Sequence, residues 1–163
     1  MNKKLIILIT FSLLLLLITF SSYRMLNVEN KRIVCTVSYP DAYEGIYDQY
    51  SIDIIDTRNN KLTSITHIRI TEAPSEKLES LYCYIKNDLN VFSNIKGVDF
   101  SIDKTENNVT FVLKEDLLKI DPKQSAETVN NSEIFHDDEV NKNTTIEEYF
   151  ELYEKEYTTC EYY

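Results

Sequence analysis

The sequence predicts an α+β fold: an N-terminal transmembrane helix, then one antiparallel-sheet domain in the order β-β-β-α-β-β-α with its helices packed on one face. Three observations predict it. Short segments around Ile33–Tyr39, Tyr50–Ile54, Val98–Ile102 and Val109–Leu113 alternate apolar and polar residues, and Leu62–Ile70 is rich in Thr and Ile. Leu78, Leu81, Tyr82, Ile85, Leu89 and Phe92 recur at helical spacing, as do Ile146, Phe150, Tyr153 and Tyr157. Leu5–Tyr23 is a run of 19 residues without a charge.

At the helical rise that run is ~28 Å long, close to the ~30 Å hydrocarbon core of a bilayer. Residues 1–4 form a short cytoplasmic leader, 5–23 an anchor, 24–31 a linker and 32–163 an extracytoplasmic domain. Thr19-Phe20-Ser21 is a poor cleavage site, and the apolar run is longer than that of a signal peptide. An uncleaved signal-anchor is therefore the preferred reading. A cleaved signal peptide, making the protein secreted, is the alternative. Lys3, Lys4 and the terminal amine on one side face Arg24, Lys31 and Arg32 on the other, so cation counting does not orient the helix. A lipobox is absent, because no cysteine closely follows the run.

Ile33, Cys35, Val37 and Tyr39 make one face of the first strand, which Pro40 closes. Tyr50, Ile52 and Ile54 alternate with Ser51 and Asp53 in the second, and Arg58-Asn59-Asn60 turns the chain into the third. Pro74 suits the first turn of a helix, which runs to Phe92 before Gly97. Two further strands meet across Glu106-Asn107-Asn108. Residues 121–143 read as a flexible acidic loop. Thr144 and Glu147 then form a capping box for a last helix whose tyrosine face points inward and which includes Cys160.

Charge excludes several functions. The net charge is -10, and residues 121–163 hold 12 acidic side chains against Lys123, Lys142 and Lys155. A nucleic-acid partner needs clustered cations and is not expected. Gly45 and Gly97 are the chain's two glycines, too few for a glycine-rich phosphate loop, and no cofactor is implied.

Of the three cysteines, Cys35 and Cys160 fall on core faces and Cys83 among the polar residues of the first helix. A Cys35–Cys160 disulfide joining the first strand to the last helix follows, given an oxidising compartment. Three reduced thiols are the other possibility. Cys83 lacks a Cys-x-x-Cys partner.

Ile33-Val34-Cys35-Thr36, Gly97-Val98-Asp99-Phe100, Asp116-Leu117-Leu118, and Tyr153-Glu154 before Thr159-Cys160-Glu161 stand in an order that resembles a family. It is that of small uncharacterised membrane-anchored surface proteins of low-GC Gram-positive bacteria, loosely similar to YehR-like lipoproteins. The resemblance spans roughly residues 32–161. It implies an anchored extracytoplasmic α+β domain with its first and last cysteines paired, and it brings no activity.

Candidate chemistry is sparse. His67 reads as a hydrogen-bonded structural or surface histidine. His136, Asp137, Asp138 and Glu139 are the candidate metal ligands, but they are contiguous and form no calcium-loop spacing. Asp53, Asp99 and Asp103 are expected on the solvent face of their strands. Tyr43, Tyr47 and Tyr50, in a loop with Asp41, Glu44 and Asp48, are the candidate contact surface for a protein or glycan. No catalytic residue stands out. The functional expectation is a membrane-anchored, non-catalytic interaction or binding module with an unknown surface partner. A metal-dependent sensor or enzyme with a site assembled from distant residues is the other reading.

Overall fold

The structure is a computed structural model that describes residues 28–43, 46–121, 140–153 and 158–163, the side chains of residues 38–49 excepted. The leader, the anchor run, most of the acidic loop and His136–Glu139 lie outside the described residues. No helix among the described residues is long and apolar enough to cross a membrane.

Eight elements follow one another: β1 (Asn30–Tyr43), β2 (Ile46–Arg58), β3 (Lys61–Glu72), α1 (Ser75–Leu89), β4 (Val98–Lys104), β5 (Asn108–Asp116), α2 (Ile146–Tyr153) and β6 (Thr159–Tyr162). A short 3-10 helix, Asn90–Asn94, continues α1. The strands form one antiparallel sheet in the order β4-β5-β3-β2-β1-β6. This is the expected α+β class. The sheet begins at Asn30, two residues inside the expected linker.

Local chemistry explains the turns. Asn59 and Asn60, at φ 51° and 65°, form the two-residue loop between Arg58 and Lys61. Asn tolerates the left-handed region that such a hairpin requires at both positions. Between Asp56 and Thr57 the β2–β3 register slips, and the backbone carbonyl of Thr63 is left to accept a hydrogen bond from Leu117 N at 3.0 Å. Gly97, at φ 91°, turns the chain into β4.

Two apolar clusters cover one face of the sheet. Leu78, Ile85 and Leu89 of α1 bury against Val98, Val109, Phe111 and Leu113, with Phe92 and Ile95. Tyr149 of α2 buries against Ile33, Ile55, Leu62 and Ile65. Helix α2 is tied to the β2–β3 turn, where Ile146 N donates to Asn60 O and Leu62 N to Thr144 O. Both helices thus lie on one face, as the pattern predicts.

Three expectations change. The chain does not end in a helix: residues 159–162 form β6 against β1, so Cys160 is a strand residue. The capping box lies one residue later than Thr144 and Glu147. Thr145 N donates to Glu148 Oε2 at 2.7 Å and Glu148 N to Thr145 Oγ1 at 3.3 Å. Tyr43 and Tyr47 lie on β1 and β2 rather than in a loop, because Pro40 does not close β1 and the two strands pair out to Tyr43 and Ile46.

Candidate functional site

A polar strip runs between the two apolar clusters on the covered face. Register builds it. Leu113, His67, Asp53, Cys35 and Cys160 occupy successive strands of one row across the sheet. Because Cys35 faces the core, its partner Asp53 must do so too. Asp53 is 5% exposed and is not on the solvent face where simple alternation puts it. Asp99 and Asp103, by contrast, are exposed as expected.

His67, 3% exposed, lies with Nδ1 2.9 Å from Asp53 Oδ1. Arg69 Nη1 donates to the same carboxylate oxygen at 2.6 Å. Glu115 Oε2 stands 3.4 Å from His67 Nε2, an ion-pair distance rather than a hydrogen bond. Burial alone disfavours charge on both central groups. For His67, the Asp53 hydrogen bond and the proximity of Glu115 outweigh burial and raise its pKa to about 9. For Asp53, the His67 and Arg69 contacts outweigh burial and hold the carboxyl well below the usual range. The strip is therefore a chain of alternating charge, Glu115–His67–Asp53–Arg69, with an imidazolium at its centre. Ser51 and Thr71, also buried, flank it.

This arrangement stores charge but does not present it. His67 is a structural histidine, one of the two alternatives its sequence context allowed. The buried strip was missed because the period-two pattern of β2 was phased on Tyr50, Ile52 and Ile54. The signal was available in the cysteine: a core-facing Cys35 fixes the phase of its neighbour in the sheet.

The disulfide is present. Cys35 and Cys160 are bonded across β1 and β6, with Cα atoms 4.1 Å apart and a sequence separation of 125. Arg32 and Tyr163 exchange both backbone hydrogen bonds, so by alternation Cys35 and Cys160 form a non-hydrogen-bonded pair, where opposite side chains are closest. The bond therefore joins neighbouring strands rather than strand to helix. Cys83 is free and exposed on α1, its thiol 3.8 Å from Glu79 Oε1, and Glu79 in turn pairs with Lys104.

Among the described residues, two of the clefts open elsewhere. One, of about 640 Å³, is lined by Asn141, Asn143, Thr144, Glu148, Glu151 and Leu152. The other, of about 480 Å³, lies between the start of α1 and the β4–β5 turn, with Glu79, Lys104 and Glu106 on its wall. Neither includes a residue of the buried strip. Among the described residues, no three His, Cys, Asp or Glu side chains gather to hold a metal ion. The candidate ligands His136, Asp137, Asp138 and Glu139 lie outside those residues.

The β1–β2 hairpin is the other candidate. Pairing of β2 with β3 begins at Gln49 and Thr71, whereas β1 and β2 stay paired beyond it, to Tyr43 and Ile46. The strands that carry Tyr43 and Tyr47 thus project past the sheet, at the opposite end from Asn30. Tyr50, at the base of this projection, is 41% exposed.

With this geometry two solved structures are similar. One is the NMR structure of Escherichia coli YehR, with TM-score 0.56 and 15% identity over 79% of this chain and 88% of that one. The other is the NMR structure of a protein from Streptococcus pneumoniae TIGR4, with TM-score 0.54 and 11% identity over 81% and 84%. The fold is YehR-like. At these identities the likeness carries the fold and no chemistry. No family model and no curated protein matches the sequence.

Proposed function

We propose that the chain is a membrane-anchored extracytoplasmic binding module that contacts a surface protein or glycan through the β1–β2 hairpin. The carrying observation is the hairpin's position. From Asn30, six residues after Arg24, β1 runs to Tyr43, which spans roughly 40 Å at the rise of a strand. An anchor at residues 5–23 therefore leaves the hairpin at the membrane-distal end, where a partner has access. The Tyr43, Tyr47 and Tyr50 group suits such a contact, since tyrosine combines apolar area with a polar tip. The disulfide supports an oxidising compartment for the domain.

The test is photo-crosslinking on intact cells with a photoreactive residue at Tyr43 or Tyr47. A discrete partner captured from these positions, and lost with Tyr43→Ser/Tyr47→Ser, is the expected result. Capture from a control position on α1, such as Lys77, with none from the hairpin would overturn the assignment.

A further inference from the structure

We infer that the face of the sheet opposite the helices is a docking surface for a cationic amphipathic helix of a partner polypeptide. An antiparallel sheet with one solvated face ordinarily carries polar residues there. Here the centre of that face is Val34, Ile52, Ile54, Ile68, Ile70 and Val112, each half-buried and none packed against either core cluster. Register brings them together, with Thr36–Ile52–Ile68–Val112 forming one continuous row. Tyr50 and Ile70 continue the patch toward the hairpin.

The margins select the occupant. Along the row of Val34 and Ile54 the outer positions are Glu161 on β6 and Asp99 on β4, and Asp103 lies further along β4. All three carboxylates are exposed. Lys114 on this face has Asp99 as its row neighbour, and Arg32 is paired with Asp56 at 2.7 Å. A second copy of the chain would bring its own Glu161, Asp99 and Asp103 against these, a like-charge juxtaposition. The central strands already have neighbours on both sides, so strand addition is not available to them.

A helix fits the dimensions. The sheet is ~24 Å wide from β4 to β6 at strand spacing, against ~10 Å for a helix, so Lys or Arg on both flanks of a helix laid along β2 and β3 reach the two margins. Three apolar rows at two-residue spacing cover ~14 Å along the strands, or roughly nine helical residues. Ile120 and Val140, which bracket residues 121–139, both pack on the covered face, so that excursion starts and ends on the other side.

The experiment uses the full chain in phosphatidylcholine nanodiscs and a 15-residue Leu/Lys peptide with leucines at helical spacing. A Leu/Glu peptide of the same length and pattern and empty nanodiscs serve as controls. Binding by anisotropy and hydroxyl-radical labelling of the Ile52, Ile54, Ile68 and Ile70 side chains are read together. The Leu/Lys peptide is expected to shield these four side chains from labelling and to bind roughly tenfold or more tightly than Leu/Glu. Asp99→Asn/Asp103→Asn/Glu161→Gln, which alters only exposed side chains, should weaken binding about fivefold and flatten its salt dependence. Ile68→Thr should weaken it by a similar factor without that flattening. Equal affinity for both peptides or for empty nanodiscs, or no effect of the triple substitution, overturns the proposal. So does shielding of these side chains, without peptide, to the level of the buried Ile55 and Ile65. Concentration-dependent shielding would assign the face to a second copy, and constant shielding to residues before Val28.

Discussion

Asp53 and His67 face each other across the β2–β3 ladder, carboxylate to imidazole at 2.9 Å, in the row that continues through Cys35 to the disulfide. The buried charge pair and the covalent link thus share one line across the sheet. Loosening either removes an ordering constraint on the strands between the two apolar clusters.

The pair makes stability depend on pH. His67 has a folded-state pKa of about 9, above its ordinary value, so its contribution is full below about pH 6.5 and is lost as pH rises toward 9. Between those limits the unfolded chain releases a proton that the folded chain keeps. Urea unfolding should show a decline on the order of 2–3 kcal/mol across this window. His67→Gln should flatten it. Asp53 acts in the opposite sense: its carboxyl is held below the usual range, so its contribution is present above about pH 4 and falls away in acid.

Removing one partner of the buried pair leaves the other charge stranded. Asp53→Asn should destabilise the domain by about 3–5 kcal/mol. Asp103→Asn, on an exposed position of β4, should stay within about 0.5 kcal/mol. Chemical denaturation of the two variants side by side makes the comparison.

The disulfide closes most of the chain into one loop. Cys35→Ser/Cys160→Ser should lower stability by about 2–5 kcal/mol. Backbone amides of β6 should exchange much faster, since four residues at a sheet edge have little else to hold them. Cys83→Ser, on the exposed face of α1, should change neither quantity.

Gly97 is required by geometry. At φ 91° a Cβ there would meet Lys119 Cβ at 2.8 Å and Asp116 O at 3.1 Å. Gly97→Ala should cost about 1–3 kcal/mol by the strain alone. Thr145→Ala removes the observed helix cap and should cost about 1 kcal/mol, measurable by thermal unfolding.

The order of strands and helices up to Asp116 was legible, because period-two and helical patterns are long enough there to exclude each other. Three features were not, each for a specific reason. Strand β2 is apolar on one face and mixed on the other, so its pattern has no unique inside until its pairing with Cys35 sets the phase. Thr144-x-x-Glu147 and Thr145-x-x-Glu148 are overlapping copies of one capping signal, and the Asn141–Thr144 turn decides between them: Thr144 Oγ1 accepts Asn141 N at 3.0 Å, leaving Thr145 to cap. Cys160 falls at helical spacing from Tyr149 and Tyr153 by coincidence, and only the neighbouring edge of β1 makes residues 159–162 a strand. The buried strip was hidden for the same reason as the phase of β2.

The anchored extracytoplasmic reading is tested most directly on intact cells producing the full chain. An impermeant protease is added from outside, and the released fragments are mapped by mass spectrometry without reductant. Release of a fragment from the domain with Cys35 and Cys160 still bonded, from cells whose membrane fraction retained the intact chain, is the predicted result. A chain protected from the protease, with Cys35 fully alkylated without reduction, would contradict it.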